Sequence, residues 1–333
     1  MTWLENWLMT LSQVGWVMTQ NNPPKDSNVT QLKPRKIFLS DEEIQLEIDK
    51  RVKRLNRTFT HILNDGKNYV VREGLDAQNR PRFEFFTLKE FRDSLLNERK
   101  QIVGYNRSGE EKNKNIADLW LESPLSNFCD KGITFVPIDN KFVNGRLNAY
   151  FGYGVNPQNC TDNDIQPYLD HIFNIICDKD NISYEYLLNW MSHLVQKPEE
   201  KPEVAIILRA GQGAGKGTFV DPLGKIIGAH YSHVTSSSQM MGRFNSFMEN
   251  KILIFADEFF AGSKKSTDML KGMITEKTQM IERKGIDQIE TPSYSRLIMA
   301  SNHENIVKIE RDERRYLFLD VSDEKKTRSP ILH

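Results

Sequence analysis

The chain has 333 residues, and its 45 Lys and Arg residues balance its 45 Asp and Glu residues, so the formal net charge is zero. This length allows two or three domains. The neutral charge argues against a protein that coats nucleic acid through bulk positive charge, so any basic DNA contact must be local. The composition is typical of a globular protein in water, and no apolar run approaches the roughly 18 residues of a membrane helix.

The three cysteines, Cys129, Cys160 and Cys177, are too few and too far apart for a disulfide scaffold or a paired metal knuckle. Their number indicates a reducing compartment, and we therefore predict a cytoplasmic protein. All three are interpreted as small buried side chains.

The N-terminal part of the chain carries no catalytic signature. Residues 1–36 are predicted to form an amphipathic helix, with Trp3, Trp7 and Val14 at helical spacing, followed by a linker. Residues 37–114 are predicted to form a small α+β region. Because this region contains no cluster of catalytic residue types, we interpret it as an interaction or scaffolding region.

Turn and capping signals predict the elements of this α+β region. Ser40 and Glu43 match a capping box that opens a charged helix. Residues 59–73 are predicted to form two strands around an Asn-Asp-Gly turn. Thr87 and Glu90 match a second capping box, which opens a short helix.

Residues 115–200 are predicted to hold a tryptophan-bearing helix, short strands and two longer helices. The strands are expected within 133–137 and 147–153, and the helices within 162–177 and 183–195. Pro198 and Pro202 interrupt the helical pattern, which predicts a domain boundary near residue 200. In residues 201–333, apolar runs alternate with helical patterns, as expected for a parallel α/β sheet.

The strongest functional signal is a glycine-rich segment between a predicted strand and a predicted helix. Residues 204–208 form a buried strand by pattern, and the sequence AGQGAGKGT follows at residues 210–218. This order is the context of a phosphate-binding P-loop, where backbone N–H groups and a helix N-terminus converge on phosphate oxygens. Lys216 would supply a positive charge to the β- and γ-phosphates. The predicted nucleotide-binding residues are Gly211, Gly213, Gly215, Lys216, Gly217 and Thr218.

The segment departs from the strict P-loop template at two positions. Ala210 replaces the first glycine, and Gly217 replaces the Ser or Thr whose hydroxyl normally binds Mg²⁺. Thr218 lies one residue late, and we predict it as an auxiliary metal ligand. A flexible glycine-rich turn without a ligand is the alternative interpretation.

A second apolar strand, at residues 251–256, ends in the two carboxylates of Asp257 and Glu258. This is a Walker B pattern. Asp257 can hold Mg²⁺ directly or through water, and Glu258 can orient and deprotonate the attacking water. A strand capped by solvated acids is the alternative, but the spacing from the glycine-rich segment favours a nucleotide site.

Two further segments supply candidate catalytic residues. A strand at 295–300 leads to Asn302, whose amide could bond the γ-phosphate or the lytic water, and Arg314 and Arg315 precede a short strand at 316–320. Paired arginines are ordinary surface residues in most proteins. In a ring ATPase, however, one of them can be an arginine finger that reaches the γ-phosphate of the neighbouring subunit. The sequence does not separate the two arginines.

Residues 280–290 are predicted to form a hairpin with its turn at Lys284 and Gly285. A basic hairpin tip is usually a solvated turn. In a ring whose centre holds a DNA strand, the same tip would contact phosphates. Arg283 and Lys284 are therefore the candidate DNA-binding residues.

In order along the chain, the segments GQGAGKGT, ILIFADE, IERKG, LIMASN and ERRY resemble a superfamily 3 helicase of the AAA+ class. The resemblance is to the helicase part of phage and plasmid primase-helicases related to the poxvirus type, and it covers roughly residues 115–322. It implies an AAA+-type parallel-sheet P-loop ATPase domain, preceded by a smaller α+β and helical region. It also implies a homo-hexameric ring that binds ATP and Mg²⁺ between subunits and translocates 3′ to 5′ on single-stranded DNA at a replication fork. For a phage-encoded chain, the compartment would be the host cytoplasm.

Two features set this chain apart from such relatives. Relatives usually carry a catalytic primase or polymerase domain upstream, and nothing in residues 1–110 supplies its acidic metal site. A primase or polymerase, as a domain or a subunit, is therefore a candidate partner. Relatives also continue into a helical segment beyond the arginine strand, so both a fragment with a truncated C-terminus and a naturally short version are compatible with the sequence.

Two other functions compete with a motor. The first is a nucleoside monophosphate kinase, because its loop variant matches residues 215–218, but such kinases open with that loop and lack the Asp-Glu strand end. The second is an ATP-binding initiator or recruiting module with little hydrolysis, which Gly217 and the short C-terminus keep open. Stimulation of ATPase activity by DNA would separate a motor from the recruiting module, and phosphoryl transfer to a nucleoside monophosphate would identify the kinase.

Overall fold

A computed structural model of the chain describes residues 38–64, 66–209, 211, 213–242, 245–261, 263–282, 289–302 and 314–322. From Asp41 onward, these residues belong to one compact unit. The helix predicted within residues 1–36 lies outside them. Within the described ranges, no helix combines the length and the apolar character that crossing a membrane requires.

The first described region is a layer of helices on a small sheet. Its elements are α1 (Asp41–Asn56), β1 (Phe59–Asn64), β2 (Lys67–Leu75), β3 (Pro81–Thr87), α2 (Leu88–Ser94), β4 (Gln101–Tyr105), β5 (Glu111–Lys114) and α3 (Ile116–Glu122). The strands β1 and β2 pair antiparallel around the predicted turn, and β3 pairs with β2. The capping box of α2 is confirmed, because the Glu90 N–H donates to Thr87 Oγ1 at 3.2 Å and the Thr87 N–H donates to the Glu90 carboxylate at 2.7 Å. Trp120 lies in the core of this region and packs against Phe59 and Phe91.

The second region combines very short strands with two long helices. Its elements are β6 (Phe128–Cys129), β7 (Ile133–Thr134), β8 (Phe142–Val143), β9 (Arg146–Asn148), α4 (Asp162–His171), a π-helical turn (Ile172–Ile176) and α5 (Asn181–Gln196). The strand β6 pairs in parallel with β1, so this region shares a sheet with the first one. Cys129 and Cys177 are buried, but Cys160 is exposed, so the prediction of three buried thiols was wrong for Cys160. The physical reason is that residues 154–167 are all exposed, since none of the elements that the structure describes covers them.

The third region is a parallel α/β layer, as the alternation of apolar runs and helices predicted. Its strands are β10 (Ala205–Arg209), β11 (Tyr231–Val234), β12 (Leu253–Ala256), β13 (Thr278–Ile281), β14 (Ile289–Pro292), β15 (Arg296–Ser301) and β16 (Tyr316–Asp320). Its helices are α6 (Lys216–Ile227), α7 (Ser237–Met240) and α8 (Lys264–Thr275), with 3₁₀ turns at Gly228–His230 and Ser246–Met248. Five strands form one sheet in the order β11-β12-β15-β10-β16, and every neighbouring pair is parallel.

Both faces of this five-stranded sheet are covered. Ile206 and Ile298 belong to the buried cluster that also contains Phe219 of α6, whereas Ile207 belongs to the cluster that contains Leu270 of α8. A strand buried on both faces reads as a continuous apolar run, which explains the sequence of β10 and β15. Because the strands are parallel, the sheet has one carboxyl end, where all five strands stop, and one amino end, where all five begin.

The segment between α5 and β10 is tied to the amino end of the sheet. Arg296 is only 2% exposed, and its guanidinium donates to the backbone carbonyls of Lys197, Pro198 and Glu200. Lys201 Nζ donates to carbonyls at the end of α8, those of Met273 and Glu276, at 2.8 Å each. The proline-containing segment is therefore anchored through its backbone.

Candidate nucleotide-binding site

The glycine-rich segment connects the carboxyl end of β10 to the start of α6, which is the order that a P-loop requires. The helix begins at Lys216, and Gly215 occupies its N-cap position with a φ of +88°. Gly213 has a φ of +80°. Both angles lie in the left-handed region that glycine adopts without a steric penalty. A Cβ on Gly213 would meet no atom within 4 Å, so the loop leaves open space on that side.

Lys216 and Asn302 meet at this end of the sheet. Lys216 Nζ donates to Asn302 Oδ1 at 3.2 Å. The contact follows from the topology, because β10 and β15 are neighbours in register and the glycine-rich segment and Asn302 directly follow them. Two residues that lie 86 positions apart and were predicted separately as a phosphate contact and a sensor are therefore in direct contact.

Asp257 and Glu258 follow β12, the next strand on the other side of β15. The Asp257 N–H donates to the Val234 carbonyl at 2.8 Å, and the Glu258 N–H donates to Asp257 Oδ1 at 3.0 Å. Glu258 is exposed and has a φ of +54°. This angle is uncommon for a residue with a side chain, and such strain tends to occur at functional positions.

Three contacts fix the turn that carries Glu258. The Phe260 N–H donates to Ser237 Oγ at 2.8 Å, and Ser237 Oγ lies 3.4 Å from the Glu258 carbonyl. The Phe259 N–H donates to the Ala300 carbonyl at 2.9 Å. The two carboxylates are therefore presented at the same end of the sheet as Lys216.

Gly217 and Thr218 lie exposed in the first turn of α6. A Cβ on Gly217 would come no closer than 3.7 Å to Asp221 Oδ2, which is ordinary van der Waals contact. The missing hydroxyl is therefore not a consequence of crowding. The donor set fits a magnesium nucleotide, because it combines a helix N-terminus, a lysine and a carboxylate of the kind that binds Mg²⁺.

The structure does not bring the predicted arginine finger to this site. Arg314 and Arg315 precede β16, and the Ala205 N–H donates to the Arg315 carbonyl at 2.9 Å. Both arginines therefore lie at the amino end of the sheet, opposite the glycine-rich segment of the same chain. Arg315 is half-buried and Arg314 is exposed.

The predicted hairpin is confirmed by the antiparallel pairing of β13 and β14, in which Met280 faces Glu290. Its tip, with the candidate DNA-binding residues Arg283 and Lys284, lies outside the described residues.

Sequence reasoning missed three residues beside the site. His171 and Tyr168 of α4 bond to carbonyls at the start of α6, and Arg209 pairs with Asp320 at 2.5 Å where β10 and β16 end. The two α4 residues carry no local signal, because they fit an ordinary amphipathic helix. Arg209 could have been noticed as the residue directly before the glycine-rich segment.

Comparisons with known proteins find matches to a protein family and to a phage protein. Residues 208–315 match DUF5906, a family of unknown function. Over 150 residues, the chain is 31% identical to the DNA primase-polymerase of Nitratiruptor phage NrS-1, an alignment that covers 44% of this chain and 21% of that protein. The chain thus spans about a fifth of the curated relative that it matches.

The solved structures that share this fold include two of the NrS-1 C-terminal region. The apo structure of the NrS-1 C-terminal region matches with a TM-score of 0.59 and 22% identity, over 82% of this chain and 61% of that chain. An A-form apo structure of the same region matches with a TM-score of 0.59 and 20% identity. These matches show a shared fold, with a mixed α/β architecture and a parallel sheet.

Proposed function

We propose that this chain is an ATP-dependent DNA helicase or translocase of phage or plasmid replication, of the superfamily 3 AAA+ type. The observation that carries the proposal is the contact between Lys216 and Asn302 beside the glycine-rich segment, with Asp257 and Glu258 at the same end of the sheet. In open parallel sheets, ligands bind outside the carboxyl ends of the strands. The similarity to a phage primase-polymerase supports a role in DNA replication.

Each residue of the site has a role in this proposal. Backbone N–H groups of the glycine-rich segment and the N-terminus of α6 hold the phosphates, and Lys216 neutralises their charge. Asp257, with Thr218 in support, holds Mg²⁺, which when bound offsets charge that develops on the phosphate oxygens. Glu258 takes a proton from the attacking water, and Asn302 orients that water or the γ-phosphate. Lys216 and Asn302 are already in contact, so part of this arrangement is preorganised.

The position of Arg314 and Arg315 supports an assembly of several copies. An arginine at the amino end of the sheet lies opposite the site of its own chain, so it can act only on the site of a neighbour. A ring, as in a homo-hexamer, supplies such a neighbour at every site and would gather one Lys284 from each subunit around single-stranded DNA. The proposed partners are therefore further copies of this chain, the DNA strand, and a primase or polymerase.

The test is the ATPase rate with and without single-stranded DNA, alongside the mass of the assembly in the presence of ATP. Stimulation by DNA in an oligomer supports the proposal. Glu258→Gln should keep ATP binding and lower hydrolysis about 10²- to 10⁴-fold, because only the general base is lost. Glu185→Gln, on the exposed surface of α5, is the matched control and should hydrolyse ATP at the wild-type rate.

One observation favours a second candidate, an ATP-binding initiator or recruiting module. Gly217 offers no hydroxyl to Mg²⁺, although the structure has space for one. Tight ATP binding without DNA-stimulated hydrolysis would indicate this module rather than a motor. Phosphoryl transfer to a nucleoside monophosphate would instead identify a kinase.

A further inference from the structure

We infer that α4, which lies outside the predicted ATPase region, positions the nucleotide-binding loop through His171 and Tyr168. This inference rests on the proposed function, because it assigns the two residues to the same site. It makes nucleotide affinity depend on a helix that precedes the glycine-rich segment by about 40 residues in sequence.

Two hydrogen bonds connect α4 to the first turn of α6. The His171 ring, through Nε2, lies 3.0 Å from the Gly215 carbonyl oxygen, and Tyr168 Oη donates to the Phe219 carbonyl oxygen at 2.8 Å. Because a carbonyl only accepts, Nε2 of His171 must carry the proton. Residues three apart lie on one face of a helix, so the two donors face α6 together.

The bond from His171 coincides with a weakened helical bond. The Phe219 N–H lies 3.4 Å from the Gly215 carbonyl oxygen, whereas 2.9–3.0 Å is typical of an N–H···O bond. The first carbonyl of α6 therefore has its shorter hydrogen bond to His171, not to its own helix. The orientation of this peptide group, and with it the direction of the Lys216 N–H in the same peptide, is set in part by α4.

The imidazole ring also limits the space behind the loop. His171 is 3% exposed, and a Cβ on Gly215 would lie 2.7 Å from its Cε1 atom. The ring thus fills the position that a side chain at Gly215 would need. A π-helical turn begins directly after His171, and such turns are frequent at functional sites.

The donors at His171 and Tyr168 do more than fill a core. A side chain that merely packed here could be replaced by one of similar volume, whereas these contacts require a donor at a defined position facing a carbonyl. Loss of the donors would leave the loop intact but less ordered. The cost should therefore appear in nucleotide affinity more than in the rate of the chemical step, because Glu258 and Asn302 stay in place.

The test compares His171→Ala, His171→Gln and Tyr168→Phe in the full chain. Binding of a fluorescent ATP analogue should weaken about tenfold in His171→Ala and about threefold in Tyr168→Phe, as expected for the loss of a hydrogen bond. The KM for ATP should rise in parallel with this loss of affinity, while kcat at saturating ATP changes less. His171→Gln places an amide donor near the Nε2 position and should recover much of the affinity. Gln166→Ala, which removes an exposed bond on the same helix, is the matched control and should bind like the wild type.

Hydrogen exchange of the nucleotide-free protein separates this inference from the proposed function. Amides in the first turns of α6 should exchange faster in His171→Ala and at the wild-type rate in Gln166→Ala, whether or not ATP binds. If the wild type fails to bind ATP while exchange responds as expected, the proposed function is wrong and α4 still orders the loop. If ATP binds and His171→Ala changes neither affinity nor exchange, the inference is overturned and the proposed function stands.

Discussion

The two ends of the parallel sheet gather charged residues in opposite ways. At the carboxyl end, Lys216 bonds to the exposed side chain of Asn302, and Glu258 is exposed. At the amino end, Arg296 and Lys201 are directed at backbone carbonyls. Glu258 and Asn302 are thus accessible at one end, whereas Arg296 and Lys201 satisfy main-chain groups at the other.

The electrostatics of the amino end fit a structural role. Burial lowers the pKa of Arg296 to about 10 and that of Lys201 to about 8. Both pKa values lie above 7, so both groups stay largely protonated at neutral pH, and carbonyls at helix C-termini attract cations. The lesson is that a charged residue beside a parallel sheet is a functional candidate when its partners are side chains at the carboxyl end, and an anchor when its partners are buried carbonyls.

Lys216→Ala should have the largest effect, and it tests whether the carboxyl end of the sheet binds nucleotide. Nucleotide affinity should fall about 10²-fold or more, because the phosphates lose the lysine that neutralises their charge. Titration with a fluorescent ATP analogue measures the loss. Lys225→Ala, an exposed lysine of the same helix, is the control and should bind within about twofold of the wild type. Undiminished turnover in Lys216→Ala would show that the loop does not hold the nucleotide.

Arg296→Met tests whether the buried cation at the amino end stabilises the fold. The variant leaves the carbonyls of Lys197, Pro198 and Glu200 without their donor, so the free energy of unfolding should fall by about 3–5 kcal/mol. Unfolding in urea measures this change in the free energy of unfolding. Arg82→Met, at an exposed arginine of β3, should change stability by less than about 0.5 kcal/mol. A small loss in Arg296→Met would mean that the buried cation is not an anchor.

His230 extends the comparison of the two ends to the dependence of stability on pH. It lies before β11 at the amino end, where Nε2 accepts from the Phe151 N–H at 3.0 Å and Nδ1–H donates to the Asn250 carbonyl at 2.9 Å. Burial lowers its pKa to about 4 from 6.5. Between pH 4 and 6.5 the unfolded chain binds a proton that the folded chain does not. The free energy of unfolding should therefore fall by roughly 3 kcal/mol as the pH drops from 6.5 to 4. Above pH 6.5, His230 should not change the free energy of unfolding.

The pH dependence can be assigned to His230 by comparing unfolding curves of the wild type and His230→Gln at pH 7 and pH 5. The variant should be less stable at pH 7 but should lose less stability on acidification. Equal losses in both proteins would place the titrating group elsewhere.

Gly217→Ser should have the smallest effect on the fold. The added side chain meets only ordinary contact, and a helix gains about 0.5 kcal/mol when a residue with a side chain replaces glycine. The new hydroxyl should lower the Mg²⁺ concentration needed for half-maximal ATPase activity, measured by metal titration. In the same assay Asp257→Asn should raise that concentration more than Thr218→Ala does. The reverse order would make Thr218 the main ligand.

The sequence was informative where a local pattern has one structural solution. The capping pair of Thr87 and Glu90 and the apolar runs of β10 and β15 were predicted correctly. The strands expected at 133–137 and 147–153 are shorter in the structure, Ile133–Thr134 and Arg146–Asn148. The reason is non-local: Tyr150 and Phe151 stack on His230 instead of continuing a strand.

At the candidate site, too, the sequence predicted what local patterns determine and missed what packing between distant elements determines. Glycine spacing and strand-terminal polar residues pointed to Lys216, Asp257 and Asn302, because parallel strands bring such positions together. Nothing in the sequence could indicate that His171 contacts Gly215, because the contact depends on how α4 packs against α6. Placement of the arginines at the amino end needed the register of β16 on β10.

The exposed thiol of Cys160 makes the chain ready for site-specific labelling. Burial raises the pKa of Cys177 to about 12 and also raises that of Cys129, so both react slowly with maleimides at neutral pH. A fluorophore would therefore attach first at Cys160, two residues before the start of α4. The native protein would then carry a reporter beside the helix that holds His171 and Tyr168, with no engineered cysteine.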